Sequence, residues 1–144
     1  MNLPIFYASG IGNTFLIIVS PNTNIDISSN VITNLITHNK QLDFDGLLIV
    51  LKHKTYNFEL QYFNNDGSFE TLCVNGCRCA ALVMHQFFNL PKHFKFVAGD
   101  GVHAGQILSK QMVKISLSQP KYISDTLSFF NFSGRHLFVG VNHF

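Results

Sequence analysis

Hydrophobic and polar residues follow one another along this chain in short runs that predict strands. Thr14–Val19 is almost wholly apolar and follows a Gly-x-Gly turn at Gly10–Gly12, a pattern that favours a buried strand. Asn57–Phe63 alternates with an imperfect period of two, and we expect it to pair with the apolar run Gly46–Leu51. Asn64–Gly67 then supplies a strong turn signal. Further strands are predicted over Phe94–Ala98, Val102–Ser109 and Met112–Leu117.

Two segments change to helical spacing. The first, Ile27–His38, carries apolar residues at every fourth position, and Ser28 or Ser29 can cap its start. The second, Asn75–Phe88, is apolar nearly all round its axis, which is typical of a helix buried on most sides. Because strands surround this second helix in sequence, we predict an α+β fold in which a curved, mostly antiparallel sheet wraps around a central apolar helix.

The chain is expected to divide near Ser118. At 144 residues it is long enough for one domain with a real core, and we assign residues 1–118 to that domain. After Pro120 a polar stretch leads into Arg135–Phe144, which is predicted to begin a new strand. Residues 119–144 are therefore interpreted as the start of a second, truncated domain.

Composition excludes several classes of function. Hydrophobic residues make up 47% of the chain and charged residues 12%, with a net charge of +2. Lys and Arg are scattered without a basic run, which argues against a nucleic-acid partner. The apolar runs are too short to span a bilayer, and the N-terminus lacks the pattern of a signal peptide. We therefore predict a cytoplasmic protein that binds neither nucleic acid nor membrane.

Cys73 is the residue most indicative of chemistry. It precedes the second helix, where N–H groups without a helical partner and the positive end of the helix dipole favour a thiolate and can hold an anion. Val74–Gly76 follows it directly, and the loop that holds Asn64 returns to the same end of the helix. The alternative interpretation is a buried structural cysteine.

Two other kinds of site are less well supported. The cysteines at 73, 77 and 79 are odd in number, which predicts reduced thiols, and their spacing within a helix does not bring three thiolates to one face for zinc. Cys79 is expected in the core. The glycine-rich Ser9–Asn13 precedes a strand instead of opening a helix, which argues against dinucleotide binding and leaves Asn13 to hydrogen-bond a small ligand. Among the histidines, His143 has the neighbours most suggestive of a site, since it ends an apolar strand in the sequence Gly140-Val141-Asn142-His143.

Several segments follow the order of one family's motifs. They read GIGNTF at 10–15, FDGLL at 44–48, NNDGS at 64–68, CVNGCRC at 73–79, DGVH at 100–103 and GVNH at 140–143. Together they resemble the diaminopimelate epimerases, whose signature NADGS…CGNGxRC gives the most specific match. The resemblance runs from Asn2 to Phe144.

The resemblance implies a fold of two pseudo-symmetric halves, each a curved sheet around a helix, with the active site between them. In that family one cysteine from each half acts on opposite faces of the substrate α-carbon, and no cofactor is used. Cys73 would be the acid/base of the first half. The N–H groups of Val74 and Asn75 would hold the α-carboxylate, and Asn13 and Asn64 would orient the rest of a small amino-acid substrate.

The departures from the family pattern keep two alternatives open. Val74 replaces a glycine and would resist a positive φ, Gln41–Asp43 replaces a glycine-containing turn, and Val141-Asn142 differs from the later motif. The second half with its partner cysteine is absent, so we expect the chain to need a C-terminal half or a homo-oligomer. The alternatives are a related racemase or isomerase of the same fold and a non-catalytic, half-length binding relative.

Overall fold

The computed structural model describes residues 3–25, 27–38, 44–139 and 141–143. Two helices lie within these ranges, α1 (Ser29–His38) and α2 (Val74–Phe87), and neither is long and apolar enough to cross a membrane. The strands of the first part are β1 (Ile5–Gly10), β2 (Asn13–Val19), β3 (Gly46–Leu51), β4 (Phe58–Asn64), β5 (Phe69–Glu70), β6 (His93–Ala98), β7 (Gly101–Ser109) and β8 (Met112–Ser116).

These strands form one sheet of mixed direction. Its order is β1-β2-β3-β4-β6-β7-β8, and β5 adds to β4. The pairs β2–β3 and β4–β6 are parallel, whereas the other neighbours are antiparallel, including the predicted β3–β4 pair. The prediction of a mostly antiparallel sheet is therefore confirmed.

Helix α2 lies against one face of this sheet and contacts β1, β2, β3, β4, β7 and β8. Its buried positions are small, namely Gly76, Cys77, Cys79, Ala80, Ala81 and Val83. Small side chains let the helix approach the sheet closely, and the large apolar residues come from the strands, among them Phe15, Ile17, Leu48, Phe58 and Phe96. The predicted central apolar helix is confirmed, with Cys79 in the core at 5% exposure.

Helix α1 covers the opposite face of the same strands. Leu16, Ile18, Leu47 and Ile49 point away from α2 and pack with Ile32, which is fully buried. Strands β2 and β3 are thus buried on both faces, which explains why they read as unbroken apolar runs instead of alternating. The helix begins at Ser29, later than predicted, and the Val31 N–H donates to Ser28 Oγ at 3.4 Å.

After β8 the chain forms two small sheets. One is the hairpin of β10 (Leu127–Phe129) and β11 (Phe132–Gly134). The other consists of β9 (Lys121–Tyr122), β12 (Leu137–Val139) and β13 (Val141–His143), in the order β13-β12-β9. The strand predicted over Arg135–Phe144 is instead two short strands that pair antiparallel, with positions 140 and 144 outside the described residues. The division between residues 1–118 and 119–144 stays a prediction.

Candidate active site

Cys73 occupies the N-cap of α2. Its backbone is extended, with φ −128° and ψ 107°, and its carbonyl oxygen accepts the first intrahelical hydrogen bond, from Cys77 N–H at 2.8 Å. Val74, Asn75 and Gly76 are the first three helical residues, so their N–H groups have no partner within the helix. The predicted position of Cys73 at the helix start is confirmed. The helix itself begins at Val74, one residue earlier than the pattern predicted.

Val74 enters the helix without backbone strain. Among the described residues the non-glycine positions with positive φ are Ile11, Asn89 and Phe130. Position 74 is the first residue of α2, where a helical φ suits a valine. The expectation that Val74 would have to resist a positive φ is therefore wrong, and what its side chain adds is bulk beside the helix N-terminus.

The pKa of Cys73 is shifted in the opposite direction to the one that its place at a helix N-terminus predicts. Burial raises the pKa of the half-buried thiol, the N–H groups of Gly76 and Asn75 lower it, and the Asp45 carboxylate raises it further. The net direction is upward. The prediction that this position favours the thiolate is therefore wrong in sign, because desolvation outweighs the helix N–H groups.

A chain of side-chain hydrogen bonds ties the first hairpin to the helix. Ile11 and Gly12, with φ of 51° and 87°, make the two-residue turn of the β1–β2 hairpin and place Asn13 at the start of β2. Asn75 Nδ2 donates to Asn13 Oδ1 at 2.9 Å, and Arg78 Nη1 donates to Asn75 Oδ1 at 3.0 Å. Two predicted site residues, Asn13 and Asn75, are thus held against each other.

Asp45 extends this chain and was not singled out from the sequence. It precedes β3, and the parallel pairing of β2 with β3 brings it beside the start of β2. Its Oδ2 accepts from the Thr14 N–H at 2.7 Å, from Thr14 Oγ1 at 3.3 Å and from Asn13 Nδ2 at 3.3 Å. The adjacent Gln41–Asp43 lies outside the described residues.

Asn64 is fixed by the turn that follows β4. Gly67 N–H donates to the Asn64 carbonyl at 2.9 Å, and Asn64 N–H donates to the Ser68 carbonyl at 2.8 Å. The Asn64 side chain accepts from the Tyr62 hydroxyl at 2.8 Å. Tyr62 in turn lies in the electrostatic field of Cys73, whose charge is one of the causes that raise the tyrosine pKa. The pattern indicated Tyr62 only as a strand residue.

The start of β2 and the residues Asp45 and Tyr62 therefore lie near the α2 N-terminus and Cys73, and Tyr62 connects them to Asn64. Cys77 is fully buried in the core. His103 pairs with Asp100 at 2.8 Å, and both side chains are buried. A separate apolar cavity of about 440 Å³, lined partly by Met84 and Phe88, lies at the other end of α2. No group of three or more His, Cys, Asp or Glu within the described part of the chain could hold a metal ion.

The family model and the curated proteins that match this chain agree on one family. The sequence model of diaminopimelate epimerase matches residues 6–88, which include the five predicted site residues. A diaminopimelate epimerase of Campylobacter jejuni is 30% identical over 135 residues, covering 92% of this chain and 52% of that protein. One of Helicobacter pylori is 33% identical over 124 residues, covering 85% and 41%. The chain thus spans about half the length of the curated relatives it matches.

Two solved structures share the fold. A hydroxyproline epimerase from Agrobacterium vitis, with bound trans-4-hydroxy-L-proline, has a TM-score of 0.63 at 9% identity and covers 97% of this chain and 50% of that one. A phenazine biosynthesis protein of the PhzF family from Enterococcus faecalis has a TM-score of 0.59 at 17% identity, covering 74% and 41%. Since the matched family model spans more than half of the sequence, this chain belongs to the diaminopimelate epimerase family.

Proposed function

We propose that this chain is the first half of a cytoplasmic, cofactor-independent epimerase that interconverts LL- and meso-diaminopimelate in lysine and peptidoglycan synthesis. The observation that carries the proposal is Cys73 at the N-cap of α2, beside helix N–H groups that have no partner within the helix. Family membership supports an isomerase. The substrate, the thiol mechanism and the need for a second half are parts of the proposal.

The helix N-terminus would bind the α-carboxylate of the substrate. The N–H groups of Val74 and Asn75 point out of the helix start, and the helix dipole adds partial positive charge there. When the α-proton leaves, its electron pair delocalises into the carboxylate, whose negative charge increases. Donors that are already in place stabilise that charge without reorganisation.

Cys73 would exchange the proton on one face of the α-carbon. In one direction its thiolate takes the α-proton, and in the other its thiol returns a proton to the carbanion. Inversion needs a second acid/base on the opposite face. Cys77 and Cys79 cannot supply it, since both are buried in the core around α2. We therefore propose that the second thiol comes from a C-terminal half or from a second copy of the chain.

Asn13 and Asn64 would orient the rest of the substrate. The hydrogen bonds of Asn13 to Asn75 and Asp45 leave one of its side-chain N–H bonds for a ligand. Asn13 would therefore act as a donor to the substrate. A second candidate function is the same reaction on a different amino acid, and the bulk of Val74 beside the carboxylate site is the observation that favours it.

The test is proton NMR of LL- and meso-diaminopimelate in D2O with this chain, its Cys73→Ala variant and a Cys79→Ala control. We expect deuterium at the α-carbon with the parent chain and the control, and none with Cys73→Ala. Inversion would show that a second donor is available, for example by dimerisation.

Exchange that survives Cys73→Ala would contradict the assignment of Cys73. Exchange with other amino acids but not with diaminopimelate would favour the second candidate. Binding without exchange for every amino acid tested would support the non-catalytic, half-length relative.

A further inference from the structure

A hydrogen-bond chain with a fixed direction runs through the β4–β5 turn. Asp66 Oδ1 accepts from Ser68 Oγ at 2.6 Å and from the Ser68 N–H at 2.8 Å, and these bonds lower the pKa of Asp66. Because an ionised carboxylate only accepts, the Ser68 hydroxyl proton is committed to Asp66. Ser68 Oγ can therefore only accept from Asn64, which lies at 3.1 Å.

This direction determines how the Asn64 amide is turned. Its nitrogen Nδ2 must face Ser68, so its oxygen Oδ1 faces the Tyr62 hydroxyl, which donates at 2.8 Å. A rotation of the amide by half a turn would set Oδ1 against the lone pairs of Ser68 Oγ with no proton between them, whereas the Tyr62 hydroxyl could accept from Nδ2 as readily as it donates to Oδ1. Ser68 thus sets the direction of the Asn64 amide, and Tyr62 occupies the oxygen that this direction presents to it.

The Tyr62 ring is held by its surroundings. A Cβ atom at Gly46 would lie 2.6 Å from Tyr62 Cε2 and would also collide with the Phe63 carbonyl oxygen, so the strand pair leaves space for the ring only beside a glycine. Phe15 packs edge-on against the ring, with centroids 6.2 Å apart. The hydroxyl is therefore presented to Asn64 from a fixed position.

Tyr62 also stays a donor at any pH relevant to the site. Burial raises its pKa to about 12, and the charges of Cys73 and Asp45 act in the same direction. The phenol therefore remains protonated in neutral and mildly alkaline solution.

We propose that Tyr62 is a positioning residue of the Cys73 site, which acts by holding the Asn64 amide with its nitrogen edge available to a ligand. With Oδ1 occupied by Tyr62, the second N–H of Nδ2 is the group that Asn64 offers to a substrate. The ligand group would be an oxygen acceptor such as an amino-acid carboxylate. The inference rests on the proposed function for the substrate, but the orientation of the amide can be tested without it.

The first test is the side-chain amide spectrum of Asn64 in the 15N-labelled chain, assigned by its loss in Asn64→Asp. In the parent chain we expect a well-resolved proton pair that exchanges slowly with water. Tyr62→Phe, which removes only the hydroxyl, should move this pair towards random-coil positions and increase its exchange. Tyr122→Phe is the matched control, since Tyr122 is 62% exposed. An Asn64 pair unchanged by Tyr62→Phe would overturn the proposal.

The second test compares α-proton exchange of diaminopimelate by the parent and Tyr62→Phe chains. Losing one hydrogen bond that orients a binding group should raise KM by roughly threefold to tenfold and leave kcat within about twofold. A fall in kcat with an unchanged KM would overturn a positioning role. No exchange by the parent chain would instead contradict the proposed function, and the amide spectrum would still decide whether Tyr62 holds Asn64.

Discussion

Gly10→Ala should loosen the contact between the first hairpin and α2. A Cβ atom at this position would lie 2.8 Å from Cys79 Sγ and 3.4 Å from the Asn75 carbonyl oxygen. Cys79 is buried, and its short side chain has one rotatable bond with which to move away. The hairpin that carries Asn13 must therefore shift away from the helix.

The size of the effect follows from these distances. Non-bonded carbon atoms pack best at about 3.5–4.0 Å, so a contact of 2.8 Å requires a movement of up to ~1 Å. Overpacking of this kind costs about 1–3 kcal/mol. The same shift would stretch the 2.9 Å hydrogen bond from Asn75 to Asn13, whose loss costs roughly a further 1 kcal/mol. We expect Gly10→Ala to lower the free energy of unfolding by about 2–3 kcal/mol.

A double-mutant cycle isolates the clash. Urea unfolding followed by far-ultraviolet circular dichroism would be measured for the parent chain, Gly10→Ala, Cys79→Ala and the double variant. Cys79→Ala removes the sulfur atom that the new methyl group meets, so Gly10→Ala should cost at least ~1 kcal/mol less in that background. An equal cost in both backgrounds would refute the reasoning, because the penalty would then not arise from this contact.

Three other predictions concern strain, a buried pair and pH. Ile11→Asn should stabilise the chain by about 1 kcal/mol in urea unfolding, since Ile11 has φ 51° and is 82% exposed whereas asparagine tolerates this conformation; a lower stability would contradict it. Asp100→Ala should cost about 1–3 kcal/mol and Asp100→Asn less, because alanine leaves Nε2 of the buried His103 without its hydrogen-bond partner; equal melting temperatures for the two variants would argue against this. Folding raises the pKa of Tyr62 to about 12 and that of Cys79 to about 11, so the folded chain retains protons that the unfolded chain releases. The resulting stability is present below the unfolded thiol value of 9.0 and lost as pH rises towards 12, and a urea midpoint that stayed constant from pH 7 to 11 would count against it.

Local patterns were sufficient for most of the elements. The unbroken apolar runs of β2 and β3 predicted strands, and the all-round apolar character of α2 predicted a buried helix, because each pattern extends over several successive residues. The pattern was less informative for α1, where Ile32 is fully buried and Val31 is 47% exposed. A short amphipathic helix can rotate about its own axis when it packs on a sheet, so that the next residue along the chain becomes the buried one.

The candidate site was predictable in part. The position of Cys73 before a helix and the turn at Asn64 follow from residues close in sequence. Asp45 and Tyr62 were not identified as site residues, since their roles depend on strand pairing. The parallel pairing of β2 with β3 sets Asp45 beside Thr14, and the arrangement around β4 places the Tyr62 ring near Cys73.

The order of residues thus specified the helix start at Cys73, the turn chemistry and the family motifs, because each depends on neighbours along the chain. The packed structure set the direction of the Cys73 pKa, since burial outweighs the adjacent helix N–H groups and raises it. It also set the direction of the Asn64 amide and the link from Asn13 to Asn75. Desolvation and long-range hydrogen bonds depend on which segments meet in space, so no local pattern could show them.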